Sequence, residues 1–267
     1  MAIGSIRLAM GVMGCMRLVT LYASHQRIMR AGPGQLRPAR YKATLIVPAL
    51  NEEKYIGELL ASAAAQTEPF AEIVVADSGD DATGDIARKA GAKVVRCQRG
   101  NVSASRNAGA QAARGDVLVF ADADKHLAPE FLETCFDYLQ GGAVLAYPRE
   151  VFSDSPFWNV LANGPRWWRD SVFTPAFGVR QTSGCVAVWR EAFFAVGGYD
   201  VDCNPVDHCW EDIDFGRRVG QIYGKSKIQL MPCVSATSAR RWQKLGPFGG
   251  LRFDQEVRGP REGNRLV

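Results

Sequence analysis

Asp122 and Asp124 stand one residue apart at the end of the apolar run Val117-Leu118-Val119-Phe120-Ala121. A strand ending in Asp-x-Asp sets two hard oxygen ligands on a sheet's carboxyl edge, where open α/β folds bind ligands. Mg²⁺ or Mn²⁺ bridged to phosphates needs ligands of this kind. The chemistry implied is that of a metal-bound nucleotide. Alone, the tripeptide fits a solvated turn after a strand equally well.

The elements that would carry such a site alternate along the chain. Thr44-Leu45-Ile46-Val47-Pro48 reads as a buried strand, and Ile56, Leu59, Leu60 and Ala63 give residues 53–66 helical spacing. Strands follow at 72–76, 93–95 and 117–121, with helices expected over 85–90 and 103–113. Alternation of this kind predicts an α/β fold with a mostly parallel central sheet flanked by helices. Each strand's carboxyl end is polar: Asn51-Glu52, Asp77-Ser78-Gly79, Arg99-Gly100-Asn101 and Asp122-Ala123-Asp124. In a doubly wound sheet these ends converge on one crevice.

Composition narrows the class. The 267 residues are 47% apolar and 22% charged, ordinary for a globular protein with one substantial core. Seven of the 32 Lys and Arg residues precede Glu52, the first of the 28 acidic residues, so the remainder carries 25 basic against 28 acidic. A body so balanced offers no broad footprint for nucleic acid. Seven scattered cysteines with no Cys-x-x-Cys suggest a reducing compartment, and Cys203, His208 and Cys209 match no standard zinc spacing. A cytoplasmic location follows. Residues 1–42 read as a basic extension and linker. Their apolar stretch at 8–16 is too short to span a bilayer, although a surface-lying membrane helix or transit-like peptide has the same character. After residue 246 the Gly-, Arg- and Pro-rich sequence reads as a flexible tail over 247–267.

Several blocks in register make a resemblance specific. Pro48-Ala49-Leu50-Asn51-Glu52, Ala76-Asp77-Ser78-Gly79, Ser105-Arg106-Asn107-Ala108-Gly109, the Asp-x-Asp block, Thr182-Ser183-Gly184 and Glu211-Asp212 together resemble the family 2 glycosyltransferases of the GT-A fold. The likeness runs from about residue 43 to 246, and it implies a nucleotide-sugar half followed by an acceptor half. By resemblance, Pro48, Ala49, Asn51 and Glu52 line the nucleoside pocket, Asp77 reads the base, and Arg99, Arg106 and Asn107 meet the pyrophosphate. Asp122 would contact ribose, or the metal through water, and Asp124 would bind the divalent cation. Arg240 and Arg241 would belong to a basic loop over the diphosphate. Asp212 would be the base that deprotonates the acceptor hydroxyl, giving inversion at the anomeric carbon. The helix dipole alone also favours an acidic pair at Glu211-Asp212.

The implied donor is a UDP- or GDP-linked sugar, and the cofactor Mg²⁺ or Mn²⁺. The acceptor side falls to Trp167, Trp168, Gly184 and Glu211, within or beyond an aromatic- and Arg-bearing stretch over 153–184. Aromatics stack on sugars or lipid chains, so the acceptor is a sugar or a lipid-linked group, with peripheral membrane contact in the second case. Two other classes compete. A non-catalytic nucleotide-sugar-binding or scaffold protein would not need Asp77, Asp122, Asp124 and Asp212 together. A sugar nucleotidyltransferase would ordinarily place a Gly-rich basic loop where Ala49-Leu50-Asn51-Glu52 stands.

Overall fold

A computed structural model describes residues 39–154, 184–203, 210–238 and 240. The expected extension, the tail, Trp167, Trp168 and Arg241 lie outside the described residues or almost wholly so. The first part runs β1 (Ala43–Ala49), α1 (Ile56–Ala64), β2 (Glu72–Asp77), α2 (Thr83–Lys89), β3 (Lys93–Arg96), α3 (Val102–Ala112) and β4 (Val117–Ala121). The short β5 (Lys125–Leu127), α4 (Phe131–Gln140), β6 (Leu145–Phe152) and β7 (Cys185–Trp189) come next. They are followed by α5 (Arg190–Ala195), α6 (Glu211–Tyr223) and β8 (Ile228–Thr237).

All eight strands share one sheet in the order β3-β2-β1-β4-β7-β6-β8-β5. The first four pair parallel, as the alternation predicts. The remaining part is mixed: β7 runs antiparallel to both β4 and β6, β8 is parallel to β6, and β5 closes the edge antiparallel to β8. Strand order reverses between β1 and β4, which puts the crevice of an open α/β sheet beside Asn51-Glu52 and Asp122–Asp124.

The central strands are buried on both faces, so they read as unbroken apolar runs. Leu45, Val47, Val117 and Val119 face a core with α1 and α4 residues such as Leu59 and Phe136. Ile46, Leu118 and Phe120 face the opposite core, with Phe193 of α5 and Phe215 of α6. The two-residue period thus builds three layers. Close packing demands small residues at the crossings: a Cβ on Gly109 of α3 would lie 2.4 Å from Cγ2 of Ile46 on β1.

Cys97, Cys135, Cys185 and Cys233 are not in disulfides. Cys203 is disulfide-bonded, which departs from the uniformly reduced cysteine usage expected from sequence.

Gly109→Ala forces α3 off β1, because the contact it would make is with a fully buried side chain. The expected cost is about 1–3 kcal/mol. It is measured as a lowered urea midpoint at unchanged slope.

Candidate active site

The loops after β1 and β2 are laced into one wall. Asn51 holds a left-handed backbone, φ 56°, and its Oδ1 accepts the Asp80 N–H at 2.8 Å. A Cβ on Gly79 would come within 2.5 Å of the Asn51 backbone nitrogen, so only glycine lets the two loops approach. The Glu52 N–H donates to Thr83 Oγ1 at 2.8 Å, and Ser78 donates to the Ala49 carbonyl through both its N–H and its hydroxyl. Pro48 and Ala49 are buried within β1, so the crevice meets Leu50, Asn51 and Glu52 instead. Asn51 acts here chiefly as the clasp between loops.

Asp77 ends β2 with a side chain only 4% exposed. Its Oδ1 accepts the Gly79 N–H at 3.0 Å, and its Oδ2 accepts from Arg96 Nη1 at 2.9 Å. Arg96 was not among the residues singled out from sequence, yet it sits opposite Asp77 in the β2–β3 register. Threading β3 beside β2 would have found it. Arg99, which was singled out, pairs with Asp80 at 2.8 Å on the exposed rim.

The Asp-x-Asp carboxylates face different neighbours. The Asp122 N–H donates to the Gly184 carbonyl, and a Cβ on Gly184 would stand 2.1 Å from Asp122 Oδ2. Gly184 thus belongs against Asp122 as much as to an acceptor surface. Asp122 Oδ1 accepts from Arg106 Nη2 at 3.0 Å, while Arg106 Nη1 donates to Glu211 Oε1, also at 3.0 Å. The Arg106 side chain is 5% exposed and its guanidinium carbon lies 5.0 Å from the Tyr199 ring centre. Sequence placed Arg106 and Asn107 on the pyrophosphate; the geometry engages both elsewhere. Asn107 donates to the Tyr199 carbonyl at 2.7 Å and accepts the Tyr199 N–H at 2.9 Å, clamping the loop after α5.

Asp124 lies nearer the β8 end of the crevice. Its Oδ1 accepts from Thr237 Oγ1 at 3.3 Å and its Oδ2 lies 3.5 Å from Arg240 Nη2. Arg240 makes a two-pronged pair with Glu52 at 2.8 and 2.6 Å and stacks 4.3 Å from the Tyr55 ring centre. Behind the crevice, Lys125 is paired with Glu150. Burial works against its charge, but Glu150, Asp122 and Asp124 hold the ammonium above the ordinary lysine range. Burial pushes the Asp124 carboxyl up; Asp122 and Glu52 add to this, while Lys125 and Arg240 oppose it. A carboxylate crowded by others in this way is suited to a divalent cation. Among the described residues no cluster of three His, Cys, Asp or Glu could hold a metal by itself.

The first turn of α6 carries Glu211, Asp212 and Asp214. Asp214 is tied by Arg217 and Arg218, and Glu211 by Arg106. The protein around Asp212 desolvates its carboxyl and, with Glu211 and Asp122 adding and Arg106 opposing, pushes it up to about 7. A carboxyl raised in this way exchanges its proton closer to neutral pH than an ordinary aspartate does.

A family model described as Glycosyl transferase family 2 matches residues 44–194. A dolichyl-phosphate hexose transferase from Haloferax volcanii is 33% identical over 98 residues, 37% of this chain and 43% of that protein. A glucosyl-dolichyl phosphate glucuronosyltransferase from the same organism is 29% identical over 186 residues, 60% of this chain and 56% of that protein. The chain therefore spans about half the length of these curated relatives. Among solved structures, glucosyl-3-phosphoglycerate synthase from Mycobacterium tuberculosis, in complex with Mn²⁺, UDP and glucosyl-3-phosphoglycerate, gives a TM-score of 0.57 at 22% identity. That match covers 79% of this chain and 77% of the other. The likeness is one of fold, the GT-A fold of glycosyltransferases.

The raised Asp212 carboxyl has a consequence for stability. An unfolded aspartate titrates near about 4. Between there and about pH 7 the folded chain keeps a proton that the unfolded chain releases, so this group weakens the fold as pH rises through that window. Asp212→Asn removes the effect. Thermal melts of the variant are expected to decline less between about pH 5 and about pH 8 than those of the wild type; parallel declines would contradict the assignment.

Proposed function

The chain belongs to glycosyl transferase family 2, and from that premise we propose an inverting, metal-dependent glycosyltransferase that uses a nucleoside diphosphate sugar. The acceptor is a hydroxyl or a lipid phosphate. The observation that carries the reading is the pairing of two carboxylate stations across one crevice. Asp122 and Asp124 stand at the switch point of the sheet, and Asp212 stands on α6, joined to Asp122 through Arg106 and Glu211. Residues 43–246 form the catalytic domain in this reading.

Asp77 accepts the imide N–H of the base, and Arg96, on the same carboxylate, donates to an adjoining base carbonyl. Uracil and guanine carry an N–H beside a carbonyl in this arrangement; adenine and cytosine do not. A divalent cation held by Asp124 and Asp122 would neutralise charge developing on the departing diphosphate. Among the described residues, Arg240 is a partly exposed cation beside Asp124 that could meet the same oxygens, at present held by Glu52. Asp212 takes the acceptor proton as the hydroxyl attacks the anomeric carbon opposite the leaving phosphate, which inverts the centre. Where the acceptor is a phosphate, its oxygen is already anionic, and Asp212 orients rather than deprotonates.

UDP and Mn²⁺ in the mycobacterial synthase support the donor and metal, and the dolichyl-phosphate relatives support a lipid-linked acceptor. Among the described residues no helix is long and apolar enough to cross a membrane.

The test is a panel of UDP- and GDP-sugars with Mn²⁺ or Mg²⁺, read by thermal shift and donor hydrolysis. Asp124→Ala is expected to abolish metal-dependent nucleotide binding. Asp212→Asn is expected to keep binding and lose about 10²–10⁴-fold in turnover. No metal-dependent shift with any nucleotide would overturn the enzyme reading, and equal loss of binding in both variants would overturn the division of roles.

A further inference from the structure

Arg106 stands on α3 within reach of the donor crevice, yet its guanidinium spans two other elements. One nitrogen is 3.0 Å from Asp122 at the end of β4, and another is 3.0 Å from Glu211 in the first turn of α6. We propose that Arg106 is a positioning residue that ties the metal end of β4 to the turn bearing Asp212, so that loading the donor site is transmitted to the base. The inference rests on the roles given above to Asp122 and Asp212.

Each end of the bridge is constrained. Asp122 has Oδ1 on Arg106 and Oδ2 pressed over Gly184, where a Cβ would lie at 2.1 Å, so its carboxylate cannot rotate freely. At the other end, the residue before α6 is Trp210, which makes no side-chain capping hydrogen bond, and the Glu211–Arg106 pair supplies a tether that a cap would otherwise give. The pier between them is stiff. Asn101 caps α3 by accepting the Ala104 N–H, Gly109 seats the helix on Ile46, and Asn107 clamps Tyr199, over whose ring the guanidinium lies. Arginine is required because its planar fork serves two carboxylates at once, whereas a lysine ammonium is a single point charge. A cation drawn to Asp122 weakens that carboxylate's hold on Arg106 and leaves more of the guanidinium's attraction for Glu211. The first turn of α6 then tightens as the donor arrives.

Hydrogen–deuterium exchange tests this in the full chain with Mn²⁺ and UDP, or GDP if that is the nucleotide bound, comparing wild type, Arg106→Lys and Glu211→Gln. In the wild type, exchange over 211–214 is expected to slow on adding metal and nucleotide. Both variants are expected to bind the nucleotide within roughly threefold of wild type. They exchange about tenfold faster over 211–214, the scale of one charge-assisted hydrogen bond, and lose the response to nucleotide. Turnover with a bound nucleotide sugar should fall in kcat while donor KM holds. If Arg106→Lys does not fold, Glu211→Gln breaks the same bridge at a side chain less deeply buried than Arg106. A silent 211–214 segment in the wild type, unchanged exchange in Glu211→Gln, or loss of nucleotide binding as complete as in Asp124→Ala would each overturn the proposal. Failure of the wild type to bind UDP or GDP with Mn²⁺ sinks the functional reading and this inference with it; binding with a silent α6 sinks this inference alone.

Discussion

A buried guanidinium between two carboxylates is the interaction on which the crevice depends. Arg106 is 5% exposed, and an arginine taken out of water is tolerable only where its donors are met. Removing one member of such a buried set typically costs about 3–5 kcal/mol, because it strands the rest. The surroundings explain why the arginine is needed. Asp122, Asp124, Glu211, Asp212 and Glu52 all gather at one end of the sheet, and without internal cations their mutual repulsion would oppose folding. Arg106, Lys125 and Arg240 supply those cations from three separate elements.

The three cations differ in how firmly they are held. Arg106 and Lys125 have almost no exposed surface and are part of the fold. Arg240 is about a third exposed, and it holds Glu52 where a diphosphate could compete for it. In the proposed function the two kinds divide the work: fixed charges keep the carboxylates in place, and one exchangeable charge is left for incoming phosphates.

Much of the donor half was legible because it is local. The runs at 44–48, 72–76, 93–95 and 117–121 are strands within a residue or two of the expected ends; β1 and β4, buried throughout, leave the plainest apolar signature, while the edge strand β3 is marked by its short Val-Val pair. Asp77 and the Asp-x-Asp pair lie at strand ends as expected. The antiparallel insertion of β7 between β4 and β6 was not foreseen, because nothing within those segments records which neighbour they choose. The same limit applies to Arg106. Its partner Glu211 is 105 residues away, so the sequence showed a cation near phosphates and could not show a cation already spoken for. Asn107 was read as a phosphate ligand for a similar reason, its true contacts being 92 residues distant. Arg96 was missed in favour of Arg99 by one turn of reasoning, the register of β3 on β2.

The eight described strands form a single hydrogen-bonded sheet, with β4 of its parallel part paired directly to β7 of its mixed part. Enzymes built from two separate lobes can shut like a jaw around their substrates. Here the ladder between β4 and β7 leaves no hinge at that seam, so the two parts of the sheet keep a fixed register and any adjustment falls to helix ends such as the first turn of α6. Substrate choice can then be retuned in the loops at the carboxyl edge of the strands without disturbing the ladder beneath them.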